Sequence, residues 1–141
     1  MRALVTGARG FVGARVMAAM DGAVSAPSLQ GLTEDDIRRI VDKAAPDVIL
    51  HTAAISDIPT CEKNPDASYH ANVEIPLWLA RTGVKLVAFS TDQVYSGCAS
   101  EGPYTEELVK PGNLYAKHKL EMERLWFMEQ LAKLVCIKLR L

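Results

Sequence analysis

Ala3-Leu4-Val5 is a short apolar run ended by Gly7, and it predicts a buried strand. Apolar side chains then return at Phe11, Val12, Ala14, Val16, Met17 and Met20, the spacing of a helix. A weaker strand falls at Ala23–Ala26, followed by a loop with Pro27 and Gly31. Thr33, with Asp36 three residues later, reads as a helix start; Ile37, Ile40, Val41 and Ala44 continue one face, and Pro46 closes it. Asp47–Leu50 is the next strand and runs into His51-Thr-Ala-Ala54. Asn64-Pro65, a cap followed by a first-turn proline, predicts a helix through Trp78 towards Gly83. Val84–Ser90 is the most apolar strand. Residues 91–112 are loop, a long helix covers about Leu114–Lys133, and Leu134–Leu141 is a last strand.

Strands alternating with helices imply an α/β fold: a Rossmann-type, doubly wound parallel sheet in three αβα layers. A chain of 141 residues can bury one core, so a single domain over 1–141 is expected. Hydrophobic residues make up 49% and charged ones 23%, the balance of a water-soluble globular protein. The net charge of −1 supplies no field for nucleic acid or an acidic membrane, so neither is expected as a partner. Cys61, Cys98 and Cys136 are odd in number and far apart, which fits neither a disulfide framework nor a metal site. With no signal peptide and no apolar run of membrane-spanning length, a cytoplasmic location is expected.

Gly7, Gly10 and Gly13 follow a strand and open a helix, the context of a phosphate-binding turn. Glycines there let the turn tighten and the backbone approach a pyrophosphate, whose charge meets helix N–H groups. The same spacing also suits a packing turn with no ligand. The first gap is one residue longer than in the dinucleotide fingerprint, and nothing acidic lies between Asp21 and Glu34 to hold a ribose 2′-hydroxyl. Arg9, inside the turn, could instead meet a 2′-phosphate, or it could be a solvated surface side chain.

Ser90-Thr91-Asp92 closes the strongest strand, where ligands gather in such a sheet. Tyr115 and Lys119 lie at i, i+4 on one helix face. A lysine there would stabilise a phenolate and lower the tyrosine pKa, while a threonine hydroxyl holds a carbonyl oxygen. On its own such a pair is common on exposed helices.

Taken in chain order, the motifs resemble the extended short-chain dehydrogenase/reductases, closest to their rhamnose-pathway nucleotide-sugar reductases. The matching pieces are Thr6–Gly13, Pro46–Ala54, Cys61–Pro65, Asn72-Val73, Ser90–Gly97, Pro103–Glu106, Pro111–Lys119 and Leu139-Arg140. The resemblance implies an NADP(H)-dependent oxidoreductase, with NAD(H) as second cofactor, acting on the 4-keto group of a nucleotide-sugar. It implies Thr91, Tyr115 and Lys119 as the catalytic triad and Asp92 as a helper in proton transfer. It implies Gly7, Arg9, Gly10, Phe11, Val12 and Gly13 at the cofactor, with Ala53 and Ala54 at its ribose, and Tyr115 and Lys119 reaching it. A basic residue at the place of Arg9 favours NADPH in that family. The Asn72 backbone carbonyl would hold a water that relays protons to Lys119. Pro76, which has no N–H, would keep that carbonyl free, or it simply kinks the helix.

Two features depart from the family. The helix between Asn72 and Val84 looks about a turn short. The chain also stops at Arg140-Leu141, so the C-terminal substrate domain of the family is expected to be missing. A non-catalytic NAD(P)-binding regulatory subunit, or a nucleotide-sugar epimerase or dehydratase, is the alternative. Trp78, Trp126, Phe127 and Met128 lie on helices that pair between subunits in many relatives; they suit a homodimer or packing against a missing half.

Overall fold

The computed structural model describes residues 1–99, 102–105, 107–129 and 134–139. β1 (Ala3–Thr6) leads through the glycine turn into α1 (Phe11–Ala19) and β2 (Ala23–Ser25). α2 (Glu34–Ala44) and β3 (Val48–His51) follow, then α3 (Ile58–Lys63), α4 (Pro65–Tyr69) and α5 (Ile75–Arg81). β4 (Lys85–Thr91), α6 (Leu114–Met128) and β5 (Leu134–Leu139) complete the order. Glu106, the expected helix end at Gln130–Lys133, and the last strand residues Arg140 and Leu141 lie outside the described residues.

The strands form one parallel sheet of five, in the order β2-β1-β3-β4-β5. From β1 the chain first steps outward to β2 and later returns past β1 to β3. The order therefore reverses between β1 and β3, which opens a crevice at the carboxyl ends of those strands. Right-handed crossovers then place α1, packed on β1 and β2, on one face. They bring α2, α5 and α6 to the other, where α2 packs on α5 and α5 on α6. This is the doubly wound αβα arrangement that the alternation of elements predicts.

The main core lies on the second face and unites Leu4, Ile37, Val41, Ile49, Leu79, Leu86, Met122 and Trp126. Each of these side chains contributes roughly 1.5–3 kcal/mol by leaving water. Trp126 is therefore part of this chain's own core, which corrects its reading as an interface or missing-half residue. Phe127 and Met128, next along the helix, are 87% and 74% exposed.

Local chemistry fixes the elements around the site. Thr33 and Asp36 form the reciprocal cap expected of them: Asp36 N–H donates to Thr33 Oγ1 at 3.3 Å and Thr33 N–H to Asp36 Oδ2 at 3.0 Å. α3 is absent from the sequence reading. It begins at Asp57, whose Oδ2 accepts from Thr60 N–H at 2.9 Å, and has Pro59 in its first turn. The single helix expected from Asn64 to Gly83 is instead α4 and α5 joined by a π turn over His70–Glu74. The Ile75 N–H bonds back to the His70 carbonyl, and Pro76 brings no N–H of its own to the ladder. Asp92–Tyr95, within the expected loop, is a short 3₁₀ turn. α6 stops at Met128, where the Glu129 N–H closes on Leu125.

Candidate functional site

The glycine turn has separable parts. Gly7 has φ +68°, and a Cβ there would lie 2.7 Å from the Ala53 nitrogen. A Cβ on Gly13 would lie 2.2 Å from the Gly7 carbonyl oxygen and 2.7 Å from Thr52 Oγ1. Both glycines therefore serve close packing of α1 and β3 on the turn. Gly10 differs: it has φ −76°, and its nearest atom to an added Cβ is the Gly7 oxygen at 3.2 Å. Gly10 is the N-cap of α1 and is exposed, so the helix's first amides open outward beside it.

These residues border a cavity of about 420 Å³ at the crevice between β1 and β3. Gly7, Arg9, Gly10, Ala53 and Ala54 line it, as do Ser25 and Ser28 from the end of β2 and His51 and Ile55 from the end of β3. Phe11, Val12, Gly13, Asn72, Tyr115 and Lys119 are not among the lining residues. Phe11 is 69% exposed, with the Arg15 guanidinium 3.7 Å above its ring. Among the described residues no carboxylate lines the cavity, and Arg9 supplies a positive charge there.

The cavity wall is stitched to the turn. Thr52 Oγ1 donates to the Thr6 carbonyl at 2.7 Å, Ala53 N–H to Thr6 Oγ1 at 3.5 Å, and Thr6 Oγ1 lies 2.7 Å from His51 Nδ1. Burial drives the His51 pKa down to about 3, and the charge of Lys119 pushes the same way. His51 is therefore neutral, and its buried Nε2 has no partner among the described residues.

The second constellation is assembled by β4 and α6. Thr91 ends β4, its Oγ1 accepting from Gln93 N–H at 3.2 Å, and its side chain acts on the Tyr115 phenol, lowering that group's pKa. Asn113 caps α6 by accepting from Ala116 N–H at 2.8 Å, and Glu62 of α3 accepts from Leu114 N–H at 2.9 Å. Further along the helix, Ser68 meets His118, Tyr69 donates to Glu121, Ser90 donates to Glu123 and Arg81 donates to Glu129. Tyr115, His118 and Lys119 are all buried.

Burial pushes the Tyr115 phenol above its ordinary pKa; the Thr91 side chain lowers it, while the charges of Cys61 and Asp92 raise it. This overturns the expectation that Lys119 makes a phenolate there. In this structure the phenol keeps its proton, because burial outweighs the lowering influence of Thr91.

Asn72 has a role the sequence reading did not include. Its side chain, rather than its carbonyl, grips the cavity wall: Nδ2 donates to the Ile55 carbonyl at 2.9 Å and Oδ1 accepts from Ile55 N–H at 3.2 Å. Cys61 Sγ donates to the same carbonyl at 3.2 Å. The sequence also missed Ser25, Ser28, His51 and Ile55 at the cavity; the nearest signal was their place at the ends of two predicted strands. Among the described residues there is no metal-binding cluster and no helix long and apolar enough to cross a membrane.

The family model described as RmlD substrate binding domain matches residues 1–139. A dTDP-4-dehydrorhamnose reductase from Aggregatibacter actinomycetemcomitans is 30% identical over 136 residues, 88% of this chain and 46% of the relative. Methionine adenosyltransferase 2 subunit beta from Danio rerio is 38% identical over 96 residues, 66% of this chain and 29% of the relative. The crystal structure of a dTDP-4-dehydrorhamnose reductase from Bacillus anthracis in complex with NADP superposes with a TM-score of 0.79 at 25% identity, covering 97% of this chain and 52% of that one. This chain thus spans about half the length of these proteins or less.

Proposed function

We propose, for a chain that belongs to the family of the RmlD substrate binding domain, that it binds NADPH at the glycine turn and carries the proton-transfer residues for reducing a nucleotide-sugar 4-keto group. The substrate envisaged is that of the dTDP-4-dehydrorhamnose reductases. The observation that carries this reading is the convergence of the Thr91 side chain, at the end of β4, on the buried Tyr115 phenol, with Lys119 buried on the same helix face.

The residues at the cavity fit a dinucleotide with a 2′-phosphate. Gly10 leaves room for the approach of a pyrophosphate, and the first amides of α1 point their partial positive charge towards it. The end of β2 offers Ser25 and Ser28 in place of an acid, and Arg9 supplies a guanidinium for phosphate. NAD(H), lacking that phosphate, would bind as the weaker cofactor. Ala53 and Ala54 would line its ribose. When bound, the nicotinamide supplies the hydride.

In this reading the Thr91 hydroxyl orients the carbonyl oxygen of the sugar, and the protonated Tyr115 phenol donates to it. The phenol holds its proton at neutral pH and so has it to donate. The Lys119 ammonium would stabilise the phenolate left behind and reach ribose hydroxyls. Asp92, at the start of the 3₁₀ turn beside Thr91, would assist re-protonation.

The test follows NADPH absorbance with dTDP-4-dehydro-6-deoxy-L-mannose. Tyr115→Phe should lower the rate by about a hundredfold or more, the usual worth of a positioned acid, with NADPH affinity retained. Equal rates for the two proteins would refute the assignment. The Danio rerio relative, named as a subunit, supports a second reading: a cofactor-binding subunit of another enzyme. NADPH binding without any turnover would favour it.

A further inference from the structure

We propose that Ser68 and His118 are positioning residues: a chain of buried hydrogen bonds from His118 through Ser68 and Asn72 to the backbone of Ile55 locks the helix of Tyr115 and Lys119 to the cofactor cavity wall. The proposal rests on the reading of that cavity given above and adds to it residues that do not line the cavity.

The directions of the bonds are set by donor and acceptor counting. Asn72 Nδ2 has two protons; one goes to the Ile55 carbonyl at 2.9 Å and the other to Ser68 Oγ at 3.2 Å, one helical turn back. Asn72 Oδ1 accepts the Ile55 N–H at 3.2 Å, so this side chain holds Ile55 as a neighbouring strand would. Ser68 Oγ is thus an acceptor towards Asn72, and its own proton is left for His118 Nδ1, 2.8 Å away. Ser68 is fully buried and its proton has no other acceptor among the described residues, so the imidazole carries its own proton on Nε2 and presents a lone pair at Nδ1. Burial holds the His118 pKa below its ordinary value against the opposing charges of Glu121 and Glu62, which keeps that lone pair available. The Tyr69 ring packs edge-on against the imidazole with centroids 5.3 Å apart and completes its surroundings.

The cost of this arrangement argues for a role beyond packing. A hydroxyl, a carboxamide and an imidazole are all buried where apolar side chains of similar size would need no partners. Buried networks of this kind define one arrangement of the elements they join. Here they join α4, the π turn and α6 to Ile55, and both Ile55 and Ala71 line the cavity. Lys119 directly follows His118, so a shift of α6 that broke this chain would carry the ammonium with it.

The experiment uses Ser68→Ala, which removes one oxygen, together with His118→Leu and His118→Asn. Asparagine places an oxygen acceptor where Nδ1 stands and is the rescue. Two quantities are read: hydrogen exchange at the Ile55 amide, and NADPH affinity by fluorescence titration. Ser68→Ala and His118→Leu should each speed Ile55 exchange roughly tenfold, the equivalent of one lost buried hydrogen bond, while Ile49 and Leu86 amides in the sheet stay protected. Both should weaken NADPH by several-fold, the double variant should be no worse than either single, and His118→Asn should recover most of the loss. Wild-type exchange at Ile55 in both single variants would overturn the proposal, as would a His118→Asn protein that behaves like His118→Leu. Exchange needs no substrate, and Tyr115→Phe should leave it at the wild-type rate, so failure of the coupling and failure of the reductase reading show up in different measurements.

Discussion

Gly10 and Gly13 allow the two meanings of the glycine turn to be separated by experiment. An alanine at Gly13 would put its Cβ 2.2 Å from the Gly7 oxygen and 2.7 Å from the Gly7 carbonyl carbon. Those are backbone atoms that cannot swing aside, so α1 must lift from β1 by roughly an ångström, an overpacking that costs about 1–3 kcal/mol. The better helix propensity of alanine returns at most about 1 kcal/mol. A net loss of about 1–2 kcal/mol follows, which lowers Tm by about 3–8 °C in a domain of this size. Gly10→Ala meets the Gly7 oxygen at 3.2 Å, and its φ of −76° suits any residue. At an N-cap, where glycine is preferred over alanine, that change should cost about 0.5–1 kcal/mol, less than at Gly13.

NADPH titration should give the opposite order. A methyl on Gly10 occupies the place where a pyrophosphate would approach, and about 1–3 kcal/mol of overpacking corresponds to a roughly ten- to hundredfold weaker complex. Thermal or urea unfolding and fluorescence titration on the same two proteins complete the assay. If Gly10→Ala binds NADPH like the wild type, the turn is a packing device and no cradle. If Gly13→Ala unfolds like the wild type, the packing argument is wrong.

Arg9→Ala should weaken NADPH roughly ten- to hundredfold, the worth of a charge-assisted bond to phosphate, and NADH hardly at all; equal losses in parallel titrations would refute the 2′-phosphate assignment. For His51 the folded pKa of about 3 lies below the ordinary 6.5, so the unfolded chain takes up the proton first. The stability that neutral His51 contributes is therefore complete above the unfolded pKa and is lost as pH falls towards the folded one, at up to about 1.4 kcal/mol per pH unit. His51→Gln should flatten that acid limb in urea midpoints measured from neutral to acidic pH; an unchanged slope would contradict the burial of an uncharged ring.

The features legible in the sequence are those set by near neighbours in the chain. The Thr33–Asp36 cap, the glycine turn opening a helix and the alternation of strands and helices all depend on residues a few positions apart, and each appears in the structure. α3 escaped notice because its six residues are too few for an apolar stripe, although Asp57 and Pro59 gave a start signal. The π turn escaped because one proline in a helical pattern predicts a disturbance without specifying its form.

The site itself shows the limit most clearly. The i, i+4 spacing of Tyr115 and Lys119 puts them on one helix face, but it does not say what that face meets. In the fold it lies within electrostatic reach of Thr91, Cys61 and His51, each contributed by a different element. Burial then reverses the sign of the Tyr115 shift that the pair alone suggests. The phenol is raised because water is gone, and a raised phenol is an acid, not a nucleophile or base, at neutral pH. The protonation of Tyr115 thus depends on its burial against elements far apart in the chain. The same holds for the bonds from Asn72 to Ile55 and from Ser68 to His118. No local pattern encodes those meetings; the sheet order β2-β1-β3-β4-β5 makes them by bringing the ends of β1, β3 and β4 to one edge.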